Sequence, residues 1–221
     1  MKKIASLLLC LLFVLLALTG CSNDETAFVP KSYTPDSDQI TGVCVDVRDR
    51  QIEVVLSTDS YIHIDYYENE EEYNTISVSE DNKLTMIAET NKEWTDYIGG
   101  KSAAGSRKIT LHLPDKTLSA LQLSTTNEDI TLAALSIGRE VSLSNNGGNI
   151  SFETLNVGNS IVLATKNADI SGSLVGTYED YAITSTIKKG NSNLPADKED
   201  GDKMLNASNN NGDINIEFVG E

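Results

Sequence analysis

A repeat of twenty residues in the carboxyl-terminal half of the chain restricts the fold more than any other feature. Ile130, Ile150 and Ile170 each follow a polar turn segment that contains Asn and Asp or Gly. An apolar pair stands nine and seven residues before each of these isoleucines. The pairs are Leu121 with Leu123, Val141 with Leu143, and Ile161 with Leu163.

Apolar residues two positions apart, with a polar residue between them, indicate short strands that bury one face. Asn, Asp and Gly tolerate the backbone angles of tight turns, so they connect one strand to the next. A period near twenty is too short for two helices, and one such unit cannot bury its apolar residues alone. We therefore predict an all-β fold, a parallel β-solenoid (β-helix-like) with coils of roughly 20 residues.

The predicted core consists of columns of side chains, one from each coil. Tyr181 and Ile183 continue the spacing of the apolar pairs, and a last copy ending in Ile214 and Ile216 is displaced by four residues. The displacement fits a small insertion within residues 188–203. The predicted columns are Leu121/Val141/Ile161/Tyr181, Leu123/Leu143/Leu163/Ile183 and Ile130/Ile150/Ile170/Ile214.

The segment before the repeats alternates apolar and polar residues in short runs but does not keep the period. A stacked β structure has unpaired strand edges at its ends, and atypical terminal units normally cover them. We predict that residues 40–115 form an irregular β amino-terminal cap and that residues 116–221 form the repeats. Together, residues 40–221 are predicted to be one continuous domain.

The first residues have the layout of a secretory signal. Two lysines precede an apolar stretch at residues 4–18, which is too short for a spanning helix. The sequence Leu-Thr-Gly-Cys at residues 18–21 resembles the bacterial lipobox, in which the Cys is acylated and the chain is cut before it. We predict a signal peptide at residues 1–20, palmitate-type lipid attachment at Cys21 and a flexible tether at residues 21–39.

This start predicts a lipoprotein of the cell envelope, held on the outer side of the cytoplasmic membrane by its acyl chains. Ser22, rather than Asp, follows the Cys and permits sorting to an outer membrane where the host has one. Without Lys2 and Lys3 the predicted mature chain has 15 basic and 33 acidic residues, a net charge of −18. Such a surface repels nucleic acid and other anionic polymers, so we predict no nucleic-acid partner.

Candidate catalytic groups are few. His63 and His112 each alternate with apolar neighbours, so both are expected to face solvent. Motifs for a nucleophile elbow, a zinc protease and a phosphate loop are absent from the sequence. Asp129, Asp169 and Asp213 share one column, and a turn role explains them without chemistry. We predict that the protein is not an enzyme; the alternative is a β-helical enzyme that acts on envelope or extracellular polysaccharide through these turn carboxylates.

Metal and cofactor sites are not predicted either. The acidic run at residues 68–72 is interpreted as a solvated hairpin loop, with a weak calcium site as the alternative. Cys44 would be the one Cys left after signal removal and lipidation, so it has no disulfide partner and is interpreted as a small strand residue. Trp94 and Tyr97 lie in polar sequence beside two glycines, and we predict that this pair forms an exposed binding surface.

The turn-then-isoleucine signature at residues 127–130 and 211–214 is similar to that of the bacterial "putative adhesin" family, a β-strand-repeat domain of unknown function. Residues 109–114 and 189–195 also resemble this family, and the likeness covers nearly all of residues 40–219. The resemblance implies an elongated β-solenoid that is often membrane-attached or secreted. It implies no catalytic or binding residues.

The sequence therefore predicts a lipid-anchored, non-catalytic protein that acts by surface binding in adhesion, scaffolding or envelope sensing. The expected partners are the membrane, through the lipid anchor, and a cell-wall polymer or a protein. The oligomeric state and the ligand are left open.

Overall fold

A computed structural model describes residues 27–37, 39–91, 104–115 and 118–220. Apart from two short 3₁₀ turns, at Ala104–Arg107 and Tyr178–Asp180, the regular structure in these residues consists of strands. Across these ranges, none of the helical turns has the length and apolar character needed to cross a bilayer.

The strands are short, as the spacing of apolar residues requires. In chain order they are β1 (Val29–Tyr33), β2 (Gly42–Asp46), β3 (Gln51–Leu56), β4 (His63–Glu68), β5 (Glu72–Val78), β6 (Lys83–Thr90), β7 (Lys108–Leu113), β8 (Ala120–Ser124), β9 (Ile130–Leu132), β10 (Leu135–Ile137), β11 (Glu140–Ser144), β12 (Ile150–Val157), β13 (Ser160–Thr165), β14 (Ile170–Val175), β15 (Tyr181–Lys189), β16 (Asp197–Lys198), β17 (Lys203–Asn211) and β18 (Ile214–Val219).

The strands form two sheets of nine strands each. Sheet A has the order β1-β4-β7-β3-β9-β12-β14-β18, with β10 beside β12, and sheet B has the order β16-β15-β17-β13-β11-β8-β2-β6-β5. At six places in the chain a strand of sheet B is followed directly by a strand of sheet A: β2–β3, β6–β7, β8–β9, β11–β12, β13–β14 and β17–β18. We call such a consecutive pair a rung. The prediction of an all-β fold with parallel sheets is confirmed.

In the middle of the molecule the rungs pair in the predicted register. Ile130 pairs with Ile150 and Ile150 with Ile170 in sheet A. In sheet B, Val141 pairs with both Leu121 and Ile161. All of these side chains are at most 1% exposed, because each is covered by the equivalent residue of the next rung.

The carboxyl-terminal end differs from the predicted column order. β17 pairs directly with β13, so that Leu205 lies beside Ile161, and β15 lies outside β17. The prediction that Tyr181 follows Ile161 in its column is wrong, because Ile183 occupies that level and pairs with Leu205. A rung inside the stack must supply one strand to each sheet. β17 and β18 do so, and they therefore lie next to β13 and β14. β15 supplies a strand to sheet B alone, so it lies outside β17.

Residues 40–115 are more regular than the predicted cap. β2 and β3 form a rung in register with the repeats, with Val43 beside Leu121 and Ile52 beside Ile130. β6 and β7 form a further rung, which pairs with β2 and β3. Antiparallel pairing is confined at this end to β1, β4 and β5. The antiparallel strands β1, β4 and β5 are irregular relative to the repeats. The prediction of an irregular cap is corrected for β2, β3, β6 and β7, which continue the stack of parallel rungs.

β1 was not predicted, because it lies inside the segment interpreted as a tether. Val29–Tyr33 pairs antiparallel with β4, so a continuous tether over residues 21–39 is corrected at these five residues. Pro30 has no amide hydrogen to donate, and a strand at the edge of a sheet tolerates it.

A β-bulge and one glycine adjust the repeat within the stack. The register between β12 and β14 shifts after Phe152, so Leu155 pairs with Leu174 and not with the residue twenty positions later. The ring of Phe152 lies where a side chain on Gly172 would be, so the absence of that side chain makes room for it. The buried side chains between the sheets form one cluster that extends from Ile40 to Ile216.

Candidate functional site

A polar groove runs along the corner at which the strands of sheet B end. It has a volume of about 430 Å³ and crosses six neighbouring strands, from β2 at one end to β15 at the other. Three rows of equivalent residues line it. The sheet row consists of Asp46, Ser124, Ser144, Ala164, Ser208 and Thr186. The middle row consists of Val47, Thr125, Asn145, Thr165 and Asn209. The turn row consists of Arg48, Thr126, Asn146, Lys166 and Asn210.

The middle row is buried and mostly polar, because its side chains hydrogen-bond the turns of neighbouring rungs. Thr125 Oγ1 donates to the carbonyl oxygen of Arg50 at 2.7 Å. Asn145 Nδ2 donates to Glu128 O at 2.6 Å, and Asn209 Nδ2 donates to Ala168 O at 2.8 Å. These bonds satisfy carbonyl groups that the bend of the chain leaves without a partner in the sheet.

Thr165 is the exception in the middle row. The residue is 5% exposed. Within the described ranges, its Oγ1 is the one buried side-chain oxygen or nitrogen atom that has no hydrogen-bond partner. Thr125, at an equivalent position of this row, donates to a turn carbonyl, whereas Thr165 does not. A buried hydroxyl without a partner costs about 1–3 kcal/mol.

The groove differs from the rest of the molecule in its charge. The chain as a whole has a formal net charge of −16. Arg48 and Lys166 are exposed cations of the turn row, and Asp46 is the carboxylate among the lining residues. Neither cation has an ion pair within the described ranges. The lining residues therefore sum to a charge of +1 on a strongly acidic protein.

The outer face of sheet B extends from the groove as a mainly polar surface that also contains the exposed apolar side chains of Val162 and Met204. Apart from Asn210 of the turn row, twelve side chains of β8, β11, β13 and β17 point outward, and Glu140 is the charged one among them. They are Ala120, Gln122, Ser124, Glu140, Ser142, Ser144, Ser160, Val162, Ala164, Met204, Asn206 and Ser208.

The aspartates of the repeated turns are engaged with the backbone. Asp129 Oδ1 accepts from the amide of Asn149 at 2.8 Å, and Asn149 Oδ1 accepts from the amide of Asp169 at 3.0 Å. Asp169 and Asp213 continue this ladder with amides of the next rungs at 2.8 and 2.7 Å. Their column and their turn role are as the sequence predicts, and their oxygens already accept hydrogen bonds from the main chain.

A second depression, of about 380 Å³, lies on the outer face of sheet A and contains Glu53 and Glu153. Glu53 forms an ion pair with Lys108 at 2.6 Å. Glu153 accepts a hydrogen bond from the amide of Ala134 at 3.3 Å. Both carboxylates thus have partners within the protein.

The two histidines lie side by side across the pairing of β4 with β7. Their ring centroids are 6.3 Å apart, and both side chains are 31% exposed on the outer face, as the alternation predicts. His63 Nε2 is 3.0 Å from both carboxylate oxygens of Asp59, and its Nδ1 shares a hydrogen bond with the Thr34 hydroxyl at 2.9 Å. These partners are not predicted from the sequence. Because Thr34 directly follows β1, the bonds fasten the end of that strand to β4.

The pKa of Asp59 is lowered to about 2. The largest cause is the hydrogen bond from the backbone amide of Tyr61, followed by those from the hydroxyl of Ser57 and from His63. The ionised form of this carboxylate is therefore the one that organises the turn before β4.

Two glutamates of the acidic run at residues 68–72 form ion pairs, whereas Glu70 is exposed. Glu72 contacts the buried Arg50 at 2.5 Å, and Glu68 lies 3.8 Å from Lys31. No set of three or more His, Cys, Asp or Glu side chains within the described ranges is arranged to hold a metal ion. Cys44 faces outward on β2, where partial burial raises the pKa of its thiol.

The predicted site residues cannot be placed in this geometry. Cys21, Trp94 and Tyr97 lie outside the described residues, so the lipid attachment and the aromatic binding surface stay predictions. The groove was not predicted, although a signal for it exists in the sequence. Triplets rich in Ser, Thr and Asn recur directly before the turns, at residues 124–126, 144–146 and 208–210.

Comparison with known proteins places this geometry in context. A family model described as Toastrack DUF4097 matches residues 40–219. No curated protein matches the chain. A solved structure of a "putative cell adhesion protein" from Clostridium sporogenes has a TM-score of 0.57 at 9% identity, over 87% of this chain and 100% of that one.

Two further solved structures are less similar. A "putative adhesin" from Parabacteroides merdae has a TM-score of 0.40 at 15% identity, over 87% of this chain and 82% of its own. Another, from Bacteroides fragilis, has a TM-score of 0.35 at 11% identity, over 87% of this chain and 97% of its own.

Proposed function

The chain belongs to the Toastrack DUF4097 family, and from that premise we propose that it is a lipid-anchored, non-catalytic protein of the cell envelope that binds extended partners along a β-solenoid. Each rung lies on the next in parallel register, and buried columns run through the stack. This arrangement is typical of solenoids, whose long surfaces offer many shallow contacts.

The observation that carries the binding role is the polar groove together with the outer face of sheet B. Their side chains can donate and accept hydrogen bonds without any change in the sheet, because the backbone groups of the strands are already paired. The carboxylates that the enzymatic alternative would use accept hydrogen bonds from backbone amides. The similar Clostridium sporogenes structure is described as a "putative cell adhesion protein", which is consistent with contact through a surface.

The lipid anchor rests on the sequence Leu-Thr-Gly-Cys at residues 18–21. In cells fed a labelled palmitate analogue, we expect the wild-type chain to carry label and to remain in the membrane fraction. Cys21→Ser should remove the label and release the chain, since no second apolar span is evident in the sequence. Label that persists in this variant would contradict the anchor. Cys44→Ser is the matched control and should leave label and location unchanged.

The surface-binding role is tested with the full chain purified in detergent. We expect it to sediment with isolated envelope polymers, and to leave their size distribution unchanged during the incubation. Depolymerisation that depends on the protein would overturn the non-catalytic assignment. A loss of binding in folded Trp94→Ala would place the predicted aromatic surface at the interface.

A further inference from the structure

We propose that the polar groove binds a polysaccharide strand that carries negatively charged groups, with Arg48 and Lys166 holding those groups. This inference rests on the surface-binding function proposed above and names the class of ligand for one surface. Three properties of the groove favour this ligand: its shape, its hydrogen-bonding groups and its charge.

The groove has the shape of an extended ligand. It crosses six strands, and the five steps between them, at about 4.8 Å each, give a length of about 24 Å. The three rows repeat at each step, so neighbouring rungs present nearly the same groups. A linear polymer with a regular repeat fits this arrangement better than a compact small molecule.

The hydrogen-bonding groups favour a ligand rich in hydroxyls. Ser124, Ser144 and Ser208 stand on one side of the groove, and Thr126 and Asn146 stand on the other. Hydroxyl and amide side chains both donate and accept, as sugar hydroxyls do. An extended peptide would instead gain most of its affinity by adding a strand to an open sheet edge. The groove crosses paired strands and is not such an edge.

The charge of the groove favours acidic groups on that polymer. Arg48 belongs to the rung of β2 and Lys166 to that of β13, three steps apart, which corresponds to about 14 Å. Neither cation has an ion pair within the described ranges, so both can bind carboxylates of the ligand. The acidic surface elsewhere repels a polyanion, which restricts its binding to this groove.

The test measures the affinity of the full chain, in detergent, for a short oligogalacturonate and for its methyl ester. The two probes share one backbone and differ in the carboxylate charge. We expect the acidic probe to bind about tenfold more tightly, as two charge-assisted contacts at an exposed site would give. Equal affinity for the two probes would overturn the role of the charges.

The double variant Arg48→Gln/Lys166→Gln should lose that tenfold preference and retain its affinity for the methyl ester. Lys83→Gln/Arg139→Gln is the matched control, because it removes two exposed cations from the opposite ends of the strands. An equal loss in the control would show a general charge effect and contradict the groove.

Failure of this inference is distinguishable from failure of the proposed function. If the wild-type chain sediments with envelope polymers but binds neither probe, the surface-binding role stands and the acidic polysaccharide is wrong. If it binds neither envelope polymers nor probes, both are wrong.

Discussion

The middle of the stack and its two ends are built from the same kind of rung, but the chain passes through them differently. From β8 to β14, rungs that follow one another in sequence are neighbours in space. At the amino-terminal end the rung of β2 and β3 lies between that of β8 and β9 and that of β6 and β7. At the carboxyl-terminal end β17 is inserted between β13 and the earlier strand β15.

The ends also carry the devices that close the open sheet edges. Asn193 covers the edge of β18, where its side chain accepts from Ile216 N at 3.0 Å and donates to Ile216 O at 2.7 Å. At the opposite end β1, with Pro30, forms the edge of sheet A. Unpaired edges promote association between chains, so a stack needs such terminal structures. The comparison shows that repetition builds the middle, whereas the departures from repetition end the stack.

The largest effect is expected for a cavity in the middle. Ile150 is fully buried between Ile130 and Ile170, so Ile150→Ala should lower the free energy of unfolding by about 2–5 kcal/mol. Ser151→Ala, the next residue, is the control and should change it by less than about 0.5 kcal/mol. Denaturant unfolding measures both. A cost below about 1 kcal/mol for Ile150→Ala would contradict continuous stacking.

A glycine from each region gives the next contrast. A Cβ on Gly158 would overlap the carbonyl oxygen of Gly138 in the neighbouring rung, so Gly158→Ala should cost about 1–3 kcal/mol. Gly105, before β7, has no atom within 4 Å of the corresponding position. Gly105→Ala should change stability by no more than about 1 kcal/mol. Equal melting temperatures for the two variants would show that the middle is packed no more tightly than the end.

The ladder of turn side chains is specific to the repeats and gives a smaller effect. Asp169→Ala removes the acceptor of the Asp213 amide and should cost about 1 kcal/mol. Asp169→Asn should retain most of the stability, because the side-chain oxygen of Asn149 accepts the same kind of hydrogen bond at the equivalent position of the neighbouring rung. Thermal unfolding compares the two variants. No rescue by Asn would mean that the charge of Asp169, and not its hydrogen bond, is what stabilises the turn.

The smallest effect concerns the amino-terminal end and depends on pH. The pKa of Asp59 is lowered to about 2 in the folded protein, compared with about 4 in an unfolded chain. The stabilisation that ionised Asp59 provides is therefore complete above about pH 4 and is lost as the pH falls to about 2. Hydrogen exchange should therefore show β1 and β4 loosening in this range before the middle does. In Asp59→Asn the protection of the same amides, relative to their intrinsic exchange rates at each pH, should change little over this range. Simultaneous loosening of the middle would show one cooperative unit.

The features that could be read from the sequence are those with a local cause. The alternation around Leu121 and Leu143 determines which side chains are buried, and the turn residues before Ile130 determine where each strand begins. The rung of β2 and β3 could also have been recognised, because Val43 and Ile52 are nine residues apart, as Leu121 and Ile130 are. The displacement between β12 and β14 could not, because a bulge at one residue leaves the local pattern unchanged.

The candidate site was accessible to sequence reasoning in part. The column of Asp129, Asp169 and Asp213 follows from the period, and so does its turn role. The groove could be recognised only in the structure. Arg48 and Lys166 are far apart in the sequence, and they line the same groove because β2 pairs with β8 of the repeats.

The sequence alone determined the all-β class, the buried face of each strand and the twenty-residue pairing in the middle, because alternation and turn chemistry act over a few neighbouring residues. Only the tertiary structure decided the order of the rungs, since any strand with a suitable apolar face can pair with an open edge, and the choice depends on which edges remain available. Its arrangement placed β2 against β8 and β17 against β13, and the polar groove exists because of both choices.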